Sequence, residues 1–249
     1  MAIASDRSGV FLNKPTTRVL NVNRAGILTP EDYDALLPLV TAERLGSYVR
    51  ATKGTTTDAF KLYEWNMRAA ASVMELTSMV EVITRNALDA QLRDWAQRKR
   101  AGASWLDTIP VDARGLKDLR QARDRATRKG KRDEVHGRVV AELSLGFWRY
   151  LVESRYLTSL WVPSTHAAFP FGHPDLRTRQ KDVAFGMQQL NYVRNRAAHH
   201  EPIHQRDLGR DLQLALDLAG WISPTALKWV TVTTSLRSLI AERPTHRAE

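Results

Sequence analysis

TDAFKLYEWNMRAAASVMELTSMVEVITRNALDAQLRDW, residues 57–95, contains neither proline nor glycine. Within it Phe60, Tyr63, Met67, Ala70 and Met74 recur at spacings of three and four, and Val80, Ile83, Ala87, Leu88, Leu92 and Trp95 continue the pattern. That recurrence is the signature of an apolar helical face. Thr57 and Asp58 open the stretch, and no helix breaker follows until Gly102, so it predicts one helix of roughly 40 residues and about 60 Å. A break near Thr77-Ser78 would divide it in two. A helix of this length serves as the spine of a bundle or as an oligomer seam.

The flanking sequence adds further helices. Before the spine, Thr29 stands as N-cap, Pro30 at the first helical position and Glu31 and Asp32 in the first turn, with Pro38 expected to end or kink the helix. A second short helix is expected through Glu43, Arg44, Leu45 and Tyr48. After the spine come a loop over 104–112, a basic helix, a helix capped by Asp133 that runs through Val139, Val140 and Leu143, and a segment Gly146-Phe147-Trp148-Arg149-Tyr150-Leu151. A loop over 163–174 holds His166 and His173. A helix over 176–200 follows, then one from Asp207 to near Gly220 and a short one after Pro224. Trp148 and Trp161 are expected in the core, because neither sits in a basic, aromatic-interleaved strand. There is no β-hairpin pattern and no internal repeat. The class is all-α: an N-terminal arm over 1–28, one helical domain over 29–240 and a tail over 241–249.

Composition narrows the partners. The chain has 249 residues, 43% of them hydrophobic, which suffices for a sizeable core. Its formal net charge of +10 implies a polyanionic partner, with nucleic acid ahead of an anionic membrane. With no cysteine, disulfides, thiolate zinc sites and cysteine nucleophiles are excluded. No signal-peptide pattern or bilayer-length apolar run is present, and a cytoplasmic location is expected. A basic run of Arg114, Lys117, Arg120, Arg123, Arg128, Lys129, Lys131 and Arg132 has two readings, a solvated helix face or a strip that holds RNA.

The chemistry concentrates at Asn191-Tyr192-Val193-Arg194-Asn195-Arg196-Ala197-Ala198-His199-His200-Glu201-Pro202. Arg194 falls on the stripe of Val183, Met187, Leu190 and Ala197, where a guanidinium needs an internal carboxylate or an anion from outside. His199 lies in the last turn, where exposed carbonyls attract positive charge, and an imidazole there can move a proton. Five residues separate the two, which places their side chains about 140° apart on an ideal helix. A shared site is therefore easier to build with a second copy of the helix. The bland reading of the same residues is a core or capping ion pair for Arg194 and a C-terminal cap for His199. Glu81 and Arg85, four residues apart on the spine, are expected as an intrahelical ion pair with a second possibility of reaching the cleft. Pro202 interrupts His199-His200-x-x-x-His204, so no metal site is expected.

Arg194-Asn195-x-x-x-His199 resembles the R-N-x-x-x-H signature of the HEPN superfamily, and of its bacterial abortive-infection (Abi-like) branch in particular. Ala42-Glu43-Arg44-Leu45 with Tyr48, Leu62-Tyr63-Glu64-Trp65-Asn66, Glu81-Val82-Ile83-Thr84-Arg85-Asn86-Ala87 and Leu145-Gly146-Phe147-Trp148 are similar to that branch in the same order. The Tyr-Tyr-Arg-Leu stretch common in the branch is missing, which marks a divergent member. The resemblance implies a HEPN-like helical bundle that pairs through the motif helix, and a metal-independent endoribonuclease without cofactor, used in phage defence or as a toxin. It implies His199 as the acid or base around the ribose 2′-hydroxyl and the leaving 5′-oxygen, Arg194 as the stabiliser of the phosphorane, and Asn195 as an orienting group. His200 stands as an alternate for His199, and Arg196 and His204 as supporting residues. An antitoxin protein or an RNA regulator would be a further partner. A non-catalytic RNA-binding module, and a purely structural helical protein with incidental charge, are the competing expectations.

Overall fold

A computed structural model describes residues 28–244, and every regular element among them is a helix. In chain order these are α1 (Pro30–Val40), α2 (Ala42–Thr52), α3 (Thr56–Lys99), α4 (Trp105–Thr108), α5 (Ala113–Ala126), α6 (His136–Glu142) and α7 (Leu145–Leu151). Three single turns at Ser154–Tyr156, Leu157–Trp161 and Thr165–Ala168 lead to α8 (Leu176–Ala198), α9 (Leu208–Ile222), α10 (Pro224–Thr233) and α11 (Leu236–Ala241). Residues 1–27 of the expected arm and 245–249 of the expected tail lie outside the described residues. No described helix is long and apolar enough to cross a membrane.

The spine is one unbroken helix of 44 residues. Its start is fixed by a reciprocal cap, in which Asp58 N–H donates to Thr55 Oγ1 at 3.2 Å and Thr55 N–H donates to Asp58 Oδ2 at 3.0 Å. Thr77 does not break it, because its hydroxyl donates back to the Val73 carbonyl at 2.8 Å inside the core. α1, α2, α7, α8, α9 and α11 all pack on α3, so its first half is buried on several sides, from Ala59 and Phe60 to Met79 and Val80. Beyond Val80 the buried positions narrow to Thr84, Leu88, Asp89, Leu92, Trp95 and Ala96. α8 lies against both α3 and α9, and Gly186 permits the close approach to α9, since a Cβ there would sit 3.2 Å from Leu218 Cδ1.

Several local expectations needed tertiary context to be corrected. Pro38 lies inside α1 and does not end it; Thr41 N–H still closes the turn on Leu37 O at 2.9 Å, and buried Tyr33 stacks on Phe60 with ring centroids 5.2 Å apart. The segment expected as a loop contains α4, because Trp105 is buried and its Nε1–H donates to Asp89 Oδ1 at 2.7 Å. The helix expected to be capped by Asp133 begins only at His136, whose Nε2 meets the same Asp89 oxygen at 2.7 Å. Asp89 thus braces three stretches that a local reading treats separately. A single turn at Thr165–Ala168 interrupts the loop expected over 163–174, and α9 continues past Gly220 to Ile222. Trp148 and Trp161 are fully buried, as their sequence context suggested.

Candidate functional site

α8 presents two opposed faces. Val183, Gly186, Met187, Leu190, Val193 and Ala197 are buried against the core. On the other side Arg177, Lys181, Phe185, Gln188, Tyr192, Asn195 and His199 form an exposed stripe at spacings of three and four. Two aromatic rings stand in that stripe, Phe185 at 40% exposure and Tyr192 at 50%, and Asn195 and His199 continue the stripe to the helix end. Arg194 belongs to neither face. It is half-buried on the flank that meets α3.

On that flank two guanidinium groups stand in the field of one carboxylate without pairing with it. Burial pushes the Glu81 carboxyl above its ordinary range, against the opposing pull of Arg194, then Arg85, then the Leu145 N–H at the start of α7. The expected Glu81–Arg85 ion pair does not form, nor does Glu81 pair directly with Arg194, so the carboxylate is held in the field of both cations. Arg194 donates weakly to Asn195 Oδ1 at 3.4 Å, and Arg85 Nε is buried without a hydrogen-bond partner. The α7 end is close by: a Cβ on Gly146 would lie 3.7 Å from Asn191 Oδ1 and 3.4 Å from Ser144 Oγ. The arrangement leaves one positive charge in excess in a partly desolvated seam. Such a place suits an anion with several oxygens, a phosphate above all.

The helix ends in a double turn. His199 caps α8, Glu201 N–H returns to Arg196 O at 2.8 Å and His200 N–H to Ala197 O at 3.1 Å, the pattern that normally places glycine at the position His200 occupies. His200 has φ of 56°, a left-handed conformation costly for a side-chain residue, and Arg44 of α2 holds it by donating to its carbonyl. Arg196 straps the following loop by pairing with Glu201 at 3.2 Å and donating to Pro202 O at 2.8 Å. His204 is fully buried, stacked on Tyr48 with centroids 4.5 Å apart and 3.3 Å from Ser47 Oγ. Burial holds its imidazole below the ordinary value, and Arg243 adds to the effect. Both residues, named as supporting candidates, are placed here in structural contacts.

Within one chain, therefore, Arg194 and Asn195 touch, whereas no hydrogen bond joins Arg194 to His199. Both His199 and His200 are exposed. Of the basic run, Arg123 is engaged by Asp107 and by Glu134, the latter at 3.4 Å, and Arg114 lies over the Tyr150 ring at 5.2 Å. Lys117 and Arg120 are exposed on α5, and Arg128, Lys129, Lys131 and Arg132 form an exposed turn beyond it, with positive φ at Arg128, Lys129 and Gly130. Among the described residues no three of His, Asp and Glu gather as a metal site.

Four stretches far apart in sequence meet around the end of α8. Arg44, Tyr63 and Asn66 line a groove of about 400 Å³ with Ala70, Met74, Ala198 and His200, while Glu81 and Arg85 stand about two and three turns further along α3, with Leu145 at the same place. Sequence reasoning assigned no role to Asn191, Arg44 or Asn66. Arg44 and Asn66 stood within the stretches that carry the family resemblance and Asn191 at the head of the motif stretch, but nothing local set them apart there. No family model, curated protein or solved structure matches the chain.

Proposed function

We propose that the chain is a metal-independent endoribonuclease of the HEPN, Abi-like kind, which acts as a homodimer in phage defence or as a toxin. The observation that carries the reading is the seam at Glu81, Arg85 and Arg194, where two guanidiniums stand in the field of one half-buried carboxylate beside a helix end that presents Asn195 and His199. In this scheme an imidazole takes the proton of a ribose 2′-hydroxyl, the 2′-oxygen attacks phosphorus, and the 5′-oxygen departs with a proton from a second imidazole. The products are a 2′,3′-cyclic phosphate and a 5′-hydroxyl. Arg194 stabilises the charge that grows on the phosphorane, the contribution that is usually largest in such chemistry. Glu81 attracts both guanidiniums from a distance and pairs with neither. Because His199 does not meet Arg194 in its own chain, the site is composite, and the α8 stripe with Phe185 and Tyr192 is the surface through which two copies pair.

The test is incubation of RNA in chelator with wild type, Arg194→Ala and His199→Ala, together with chromatographic measurement of mass. The reading expects chelator-resistant cleavage, a loss of about 10²–10³-fold in each variant, and unchanged pairing. The competing reading is a non-catalytic RNA-binding module, in which Arg194 and His199 only position phosphates. It expects all three proteins to bind RNA and none to cut it. An antitoxin protein or RNA regulator belongs to the toxin version, and equal growth of cells overproducing wild type and His199→Ala would remove that version.

A further inference from the structure

The groove beside the charged seam has the form of a ligand site. Its volume of about 400 Å³ lies within the ~300–1,000 Å³ typical of small-ligand sites. Ala70 and Ala198 leave the space, and Met67 and Met74 give it soft, adaptable apolar walls. Met67 is 49% exposed at its mouth. Tyr63 supplies an aromatic wall, with the Arg44 guanidinium 5.8 Å from its ring centroid.

Asn66 and Arg44 bring donors to it, beside the Tyr63 hydroxyl and His200. Asn66 lines the groove yet is only 3% exposed, and its Oδ1 accepts from Ile203 N–H at 2.8 Å. That bond fixes which end of the amide is the acceptor and leaves the NH2 as the end free to serve the groove. Arg44 can only donate. A flat ring with a carbonyl edge, set between methionine and aromatic walls, satisfies this lining. Unstacked bases of single-stranded RNA are recognised by that combination of ring contact and edge hydrogen bonds.

Position links the groove to the seam. Ala198 is one turn beyond Arg194, about 6 Å along α8, and Met74 lies two turns before Glu81, about 10 Å along α3. A phosphate held at Arg194 would therefore carry its neighbouring base to the groove. We infer that the groove at Asn66, Arg44, Tyr63, Ala70, Met74 and Ala198 is a nucleobase subsite next to the phosphate held by Arg194, in which the Asn66 NH2 meets the C4 substituent of the base and selects a carbonyl over an amine there, uracil over cytosine. The inference rests on the proposal that RNA is the substrate, but it concerns binding and does not require cleavage.

The experiment is titration of the full chain with uridine 3′-monophosphate, cytidine 3′-monophosphate and ribose 5-phosphate, on wild type, Asn66→Asp and Ala70→Leu. Asn66→Asp keeps an oxygen for Ile203 N–H and replaces the donor by an acceptor; Ala70→Leu fills the groove. Wild type is expected to bind the uridine compound about tenfold more tightly than the cytidine one, the worth of a buried donor left unpaired. Asn66→Asp should erase or invert that ratio. Ala70→Leu should weaken both nucleotides and leave ribose 5-phosphate unchanged, which also shows that the variant is folded. Equal affinities for both nucleotides in wild type and Asn66→Asp overturn the subsite, as does binding no tighter than that of ribose 5-phosphate. A uridine preference in a protein that never cuts RNA would retain the subsite and remove the nuclease; cleavage without base discrimination would do the reverse.

Discussion

The arm formed by α4 to α6 and the seam between α3 and α8 are both rich in arginine, yet they treat it in opposite ways. In the arm several guanidiniums have their own acid: Arg123 has Asp107 and Glu134, Arg125 has Glu142 at 2.9 Å, and nearby Arg155 has Asp112 at 3.3 Å. These pairs are largely exposed, where each contributes under about 1 kcal/mol. In the seam Arg85 and Arg194 stand in the field of Glu81, which is itself partly buried. Local charge density is a poor guide to where an anion gains most. What counts is the ratio of cations to counterions and how much water has been removed, since the same Coulomb interaction strengthens as the effective dielectric falls.

The sharpest way to break this contrast is to compare Arg194→Ala with Arg125→Ala in a chelator-resistant RNA cleavage assay. The seam variant should lose about 10²–10³-fold and the arm variant less than about twofold. Equal losses would show that the two regions do not differ in the way described. Next in size is the exposed turn. Replacing Arg128, Lys129, Lys131 and Arg132 together by Ala should lower the slope of log affinity for single-stranded RNA against log salt by up to about 3, from ~0.7 per phosphate contact. Arg123→Ala, whose guanidinium already has acidic partners, should change that slope by much less than one contact.

A smaller effect sharpens the role of the shared carboxylate. Glu81→Gln frees both guanidiniums for an incoming anion, so sulfate should bind about tenfold more tightly, read as a larger sulfate-dependent rise in Tm. If the gain persists when Arg85 and Arg194 are both changed to Met, sulfate is binding elsewhere. The smallest effect concerns His204, beneath the loop that follows α8. Its folded value lies below the ordinary 6.5, so the unfolded chain takes up the proton first as pH falls. Stability from this residue is present above that value and is lost as pH drops through the folded one. Tm should therefore decline between pH 7.5 and 5.5, and His204→Phe, which keeps the ring against Tyr48, should flatten the decline. An unchanged profile would place the titrating group elsewhere.

Much of this organisation was legible before any coordinates. The spine announced itself through an unbroken three-and-four spacing over residues 57–95; Thr29 and Asp207 marked helix starts with side chains that satisfy free backbone N–H groups, and Pro30 marked one by its fixed φ. Arg194 was expected on the apolar stripe of α8, and the structure moves it to the flank between the two faces, toward Glu81. Pro38 and residues 104–112 were read too literally, because proline cost and loop composition are weak terms that the burial of Tyr33 and Trp105 overrides. Asp89 shows the reason well. Nothing within ten residues of it indicates that it will anchor both Trp105 and His136.

Helical class, spine length and the two opposed faces of α8 follow from residue order, because periodicity and capping act within a few residues of chain. That Glu81 and Arg85 face Arg194, that Arg123 is occupied while Lys117 is not, and that Asn66 has one amide end committed and the other left over required the packed molecule. Those relations join residues up to 137 positions apart, and only the way helices cross, with the burial that crossing imposes, selects which distant groups share the same dry space.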